Sequence, residues 1–70
     1  MVSIKIVNEE TGNAVYYSKV VIYCGGNYEK YTDSNGIAHF EHIFSGSYTV
    51  YIDGKDQGIV YLSGISVFYI

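Results

Sequence analysis

Apolar and polar residues alternate along most of this chain with the two-residue period of half-buried strands. Val2, Ile4 and Ile6 fall on one side of an extended segment and Ser3 and Lys5 on the other, which predicts a first strand over Val2 to Val7. Asn8 to Asn13 supplies polar turn formers and a glycine, and Ala14-Val15-Tyr16-Tyr17 resumes the apolar pattern as a short edge segment in a loop. Lys19 to Cys24 is rich in β-branched residues, with Val20, Ile22 and Cys24 facing one way and Val21 and Tyr23 the other. Gly25-Gly26-Asn27 then connects tightly to a second alternating run, Tyr28 to Thr32, predicting a hairpin.

The stretch from Thr32 to Val50 reads as turn, strand, loop, strand. Asp33-Ser34-Asn35-Gly36 combines side-chain oxygens that bond nearby backbone N–H groups with a glycine that accepts positive φ, so the chain should reverse there. Ala38 and Phe40 are expected to point inward, Ile37, His39 and Glu41 to be more exposed, and Ile43 to plug the core from the loop. In Ser47 to Asp53 the inward set is Tyr48, Val50 and Ile52, leaving Thr49, Tyr51 and Asp53 towards water. Gly54 to Gly58 is expected to be a polar turn, and Ile59–Leu62 and Ile65–Ile70 two last strands joined by Ser63-Gly64. No apolar pattern at helical spacing extends over ten residues, and eight glycines punctuate the chain as in β-sandwiches and barrels.

Composition bounds this all-β reading. Seventy residues make a single domain, 1–70, of a size that buries only about 60% of the surface its unfolded chain exposes. One cysteine, Cys24, cannot form an internal disulfide, so apolar packing must provide most of the stability. Cys24 could be a nucleophile or an intermolecular bridge, but the usual burial of free cysteine favours a small buried hydrophobe at a strand end. Four lysines against seven carboxylates, with no arginine, give a net charge of −3. The basic footprint of a nucleic-acid partner is therefore missing. Met1 to Lys5 alternates and so lacks the apolar core of a signal peptide, and no run is long enough to insert in a membrane. The expected location is cytoplasmic for a free-standing chain, or cell-surface or extracellular for a unit excised from a longer exported one.

Thr32-Asp33-Ser34-Asn35-Gly36-x-Ala38-x-Phe40 followed by Gly46-Ser47-Tyr48-Thr49-Val50 resembles the carboxypeptidase regulatory-like domains, which belong with transthyretin-like and Cna B-type β-sandwiches. The match covers roughly 20 residues and extends loosely from Val2 to about Asp53, with Gly12, Val20 and Ile22 contributing. Phe44 stands where such domains commonly carry proline. The resemblance implies a small antiparallel Greek-key sandwich, transthyretin or prealbumin-like, with seven strands or one more or fewer. It also implies a structural, spacer or adhesive role. Two active relatives fit poorly. An internal isopeptide bond would use Lys5, but Ile52 occupies the place of the required glutamate and Ser66 to Ile70 offers no amide or acid, so none is expected. The paired histidines, arginine and C-terminal Tyr-Arg-Gly-Ser of transthyretin-like hydrolases are likewise absent as a set.

His39 and His42, three apart in a strand that runs into a loop, should point to different sides, so no metal site is expected. Asp33-x-Asn35-Gly36 lacks the further acids of a calcium loop and reads as a turn. No catalytic constellation and no cofactor motif stands out. Tyrosine is the residue type in excess, with nine copies. Strand parity sends Tyr23 and Tyr51 outward and leaves Tyr16 and Tyr17 near an edge, so these four are the candidate binding residues. The expectation is a non-catalytic structural or protein-interaction module, docking on a partner or on itself through tyrosines or a sheet edge. The alternative is carbohydrate binding on an aromatic platform.

Overall fold

A computed structural model describes residues 1–70 as two packed β-sheets without a helix. The strands are β1 (Val2–Val7), β2 (Lys19–Tyr23), β3 (Asn27–Tyr31), β4 (Ile37–Phe40), β5 (Gly46–Ile52), β6 (Lys55–Leu62) and β7 (Gly64–Tyr69). One sheet has the order β4-β1-β7 and the other β3-β2-β5-β6. Only the β2–β3 and β5–β6 connections stay within a sheet, and every other connection passes from one sheet to its partner. All pairings are antiparallel except that of β1 with β7, which runs parallel from Val2↔Gly64 to Val7↔Tyr69. That pair joins the ends of the chain, a long-range contact for which local alternation offers no sign.

The core follows from strand parity. Val2, Ile4 and Ile6 of β1 with Ala38 and Phe40 of β4 meet Val20 and Ile22 of β2, Val50 and Ile52 of β5 and Leu62 of β6, and Ile43 closes the cluster from the β4–β5 loop. Cys24 and Tyr48 pack against its margin, both half-buried. Each fully buried aliphatic side chain contributes roughly 1.5–3 kcal/mol of transfer free energy, so this cluster is the principal stabilising feature.

The short edge segment expected in the loop at Ala14 to Tyr17 is limited to Ala14, which bridges to Val7. Gly54 to Gly58 is not a turn. Asp53 and Gly54, with φ of 50° and 82°, form the whole two-residue reversal, and Lys55 already pairs with Ile52. Adjacent positive φ values match the twist of the flanking strands, which is why Asp-Gly suits this place. Gln57 and Gly58 then sit opposite the single residue Val50 as a β-bulge inside β6.

The motif-bearing stretch owes its residues to backbone geometry. At the Asp33 turn, the Gly36 N–H donates to the Asp33 carbonyl at 2.9 Å, and the Asp33 carboxylate accepts from the Asn35 and Ile37 N–H groups at 2.9 and 3.0 Å. Gly36 is buried at φ 75°, and a Cβ there would lie 2.9 Å from both the Ala14 Cβ and the Ile6 carbonyl. Thr32 is 3% exposed. Its hydroxyl donates to the Val15 carbonyl and accepts from the Ser18 N–H, both at 2.8 Å, while its own N–H and C=O bond Ser18 and Tyr17. At the start of β5, the Tyr48 ring lies over Gly46, where a Cβ would meet the phenol oxygen at 3.0 Å. The Tyr48 hydroxyl donates to the Phe44 carbonyl at 2.8 Å, tying down the loop that lacks a proline.

Candidate interaction surface

The outer face of the four-stranded sheet is built by the residues that alternate with the core. From β2 it takes Lys19, Val21 and Tyr23, and from β5 Ser47, Thr49 and Tyr51. Register places Glu29 and Tyr31 of β3 beside Val21 and Lys19, and Ile59 and Tyr61 of β6 beside Thr49 and Ser47. Tyr23 is 54% exposed, Tyr61 66% and Ile59 77%, whereas Tyr51 is half-buried among its neighbours. Three charges interrupt the apolar character: Asp56 of β6 beside Tyr51, and Lys19 and Glu29, paired at 3.4 Å and both half-exposed. Such exposed pairs contribute little to stability.

The four tyrosines expected at the binding surface are divided by the fold. Tyr23 and Tyr51 lie diagonally on this face, in adjacent strands, as parity requires. Tyr17 leaves the β1–β2 loop at φ 59° and stacks on Tyr31, with ring centroids 5.0 Å apart and planes 28° apart, at the far end of the same face. Tyr16 is exposed on that loop and joins none of the others. Tyr31, Ile59 and Tyr61 were missed as members of the surface. Their signal was present: if Leu62 is inward, alternation sends Ile59 and Tyr61 outward, and the same parity places Tyr31 beside Lys19.

Beside this face, Tyr23, Cys24, Ser47, Tyr48, Thr49 and Ile59 line an open depression of about 350 Å³. Partial burial raises the Tyr48 phenol pKa above its ordinary value, and the adjacent Cys24 thiol adds to the effect. A smaller cavity of about 110 Å³ opens between β3 and β4, walled by Tyr28, Phe40, His42 and Ile43 among others. His39 is elsewhere, on the outer face of the three-stranded sheet, where its Nδ1 shares a hydrogen bond of 2.8 Å with the Ser3 hydroxyl. Its Nε2 stands 3.9 Å from the Asp33 carboxylate. Backbone donation from Ile37 is the leading cause that lowers the Asp33 pKa, opposed by desolvation and assisted by the Asn35 N–H and by His39. No group of three or more His, Cys, Asp and Glu side chains is placed to hold a metal ion. Lys5 points outward between Ile37 and Val67, on the opposite side of its sheet from Ile52 and the core.

Residues 1–64 match the family model described as DR_A0283-like, Ig-like domain. The chain belongs to that family. The DR_A0283-like match accounts for an Ig-like β-sandwich over six complete strands, β1 to β6, and reaches the first residue of β7. It extends to an Ig-like β-sandwich and does not single out the carboxypeptidase regulatory-like, transthyretin-like or Cna B-type domains that the motifs resemble. No curated protein and no solved structure matches the chain. Within this DR_A0283-like domain, the turn and strand motifs between Thr32 and Val50 are occupied with structural tasks, and the exposed aromatic side chains are not.

Proposed function

We propose that this Ig-like domain is a non-catalytic module that binds another protein through the tyrosine-bearing outer face of its four-stranded sheet. One observation carries the reading: Tyr23 of β2 and Ile59 and Tyr61 of β6 stand more than half exposed on the two strands that flank β5, with the half-buried Tyr51 of β5 diagonal to Tyr23. Tyrosine offers large, rigid, amphipathic area that loses little side-chain freedom on binding, which is why it is enriched in protein interfaces. The sheet beneath holds these rings in fixed register, so little ordering remains to be done when a partner arrives. The finer kinship with carboxypeptidase regulatory-like domains supports the same role, since modules of that type act mostly as structural or adhesive units.

The test uses the native domain and a Tyr23→Ser/Tyr61→Ser variant as paired baits, followed by titration of each with the purified captured protein. A partner that binds the native domain and loses at least about tenfold in affinity for the variant supports the proposal. Equal binding by both overturns it. Saturable quenching of tyrosine fluorescence by soluble oligosaccharides, lost in the variant, would replace it with the carbohydrate reading.

A further inference from the structure

Four strands lie at sheet edges, and three are protected against pairing with another chain. Strand β3 carries Glu29 and Lys30 and packs beside β4. Strand β4 has only four residues and is followed by Glu41. Strand β6 begins with Lys55 and Asp56 and is bent by the Gln57–Gly58 bulge. Strand β7 has none of these devices. Its sequence, Gly64-Ile65-Ser66-Val67-Phe68-Tyr69, contains no charge and no proline, and its pairing with β1 runs without a register shift.

The direction of its free hydrogen-bonding groups follows from the ladder. The Ile70 N–H donates to the Val7 carbonyl at 2.9 Å, and the Ile70 carbonyl accepts from the Glu9 N–H at 2.8 Å. In a parallel pair, alternate residues direct both backbone groups to the same neighbour. Ser66 and Phe68 therefore share the orientation of Ile70 towards β1. Ile65, Val67 and Tyr69 direct each of their N–H and C=O groups to the open edge. The side chains of these same three residues lie on the outer face, 56%, 45% and 65% exposed.

We propose that β7 is a homodimerisation edge, on which a second copy of this chain adds its own β7 antiparallel across a two-fold axis at Val67. The register is self-complementary. Val67 faces Val67 of the other copy, and Ile65 faces Tyr69 on either side, with both backbone hydrogen bonds exchanged in each opposed pair. The two three-stranded sheets merge into one of order β4-β1-β7-β7-β1-β4. Its outer face gains a continuous stripe of aromatic and β-branched cross-strand pairs, the combination that stabilises antiparallel ladders. No charge opposes a like charge, and the two-fold operation closes the assembly at two copies. The residues involved are separate from the tyrosine face of the other sheet, so this inference stands or falls apart from the proposed partner site.

Val67→Lys tests it. The position is partly exposed and its N–H points away from β1, and on the axis the substitution sets two ammonium groups face to face. Because Lys5 is its neighbour on β1, some loss of monomer stability is expected, and association is compared where the variant is folded. Sedimentation equilibrium over a concentration series and amide exchange at low and high concentration supply the readout, with thermal unfolding as the check on folding. The native chain is expected to dimerise, with the Ile65, Val67 and Tyr69 amides gaining protection as concentration rises. The folded Val67→Lys variant is expected to associate at least about tenfold more weakly, while a Tyr61→Lys control on the other sheet behaves as the native chain. A native chain that stays monomeric with those three amides freely exchanging overturns the proposal. So does dimerisation that survives Val67→Lys or is abolished by Tyr61→Lys.

Discussion

Thr32 to Val50 and Lys55 to Ile70 are built from similar residues but use them in opposite ways. In the first segment nearly every distinctive residue is engaged with its own chain: Thr32 in its hydrogen bonds, Asp33 in its turn, Gly36 against Ile6 and Ala14, Phe40 in the core, Tyr48 over Gly46. In the second, only Leu62 is buried, while Ile59, Tyr61, Ile65, Val67 and Tyr69 are exposed. Hydrophobic content alone would make the second segment the core, since nine of its 16 residues are apolar against seven of 19 in the first. The difference lies in whether a side chain or backbone group has a partner within the molecule, so the recognisable motifs mark the scaffold and the unmotivated apolar residues mark the surfaces left for other molecules.

Substitutions should separate the two segments sharply. Phe40→Ala removes a core ring that is 3% exposed, and a loss of about 3–5 kcal/mol in urea unfolding is expected, enough to leave a domain of this size largely unfolded. Gly36→Ala forces a side chain into positive φ and against two fixed neighbours 2.9 Å away. A cost of about 2 kcal/mol or more follows from the same measurement. Thr32→Val keeps the shape but strands the buried Ser18 N–H and Val15 C=O, with an expected cost of about 1–3 kcal/mol. Ile59→Ser, by contrast, should change stability by no more than about 0.5 kcal/mol. A large loss there would mean that the second segment is scaffold too.

Acid titration gives a subtler comparison. The folded-state pKa of Asp33 is lowered, so its carboxylate contributes stability that is fully present above the ordinary value of 3.8 and is lost as pH falls through the lowered one. Asp33→Asn should therefore flatten the acid end of the stability profile below about pH 4. Unfolding midpoints of the two proteins should converge as pH drops, and a constant difference across that range would remove the charge from the account of the turn.

Much of this was legible before any coordinates. Alternation found β1, β2, β3 and β4, placed Ala38, Phe40, Val50 and Ile52 inside, and sent Tyr23 and Tyr51 out, because each depends on side-chain parity within a few residues. Lys55 to Gly58 misled because glycine and charged residues signal a turn equally well when they form a bulge in a strand. Tyr17 could not be matched with Tyr31, since the ring stack depends on how a loop crosses between sheets. The depth of Thr32 was equally hidden: a buried threonine is an ordinary turn residue until its four partners are known.

The parallel pairing of β1 with β7 also governs how the domain answers a pulling force. Because the two strands run side by side in the same direction, from Val2↔Gly64 to Val7↔Tyr69, tension applied through Met1 and Ile70 draws them along each other. Their whole ladder is loaded in shear, and its hydrogen bonds must give way together rather than one after another. Antiparallel neighbours such as β2 and β3, gripped at Lys19 and Tyr31 on the same end of their hairpin, would instead peel open pair by pair. Stretching single molecules by these two sets of attachment points should give a higher rupture force for the termini than for the hairpin.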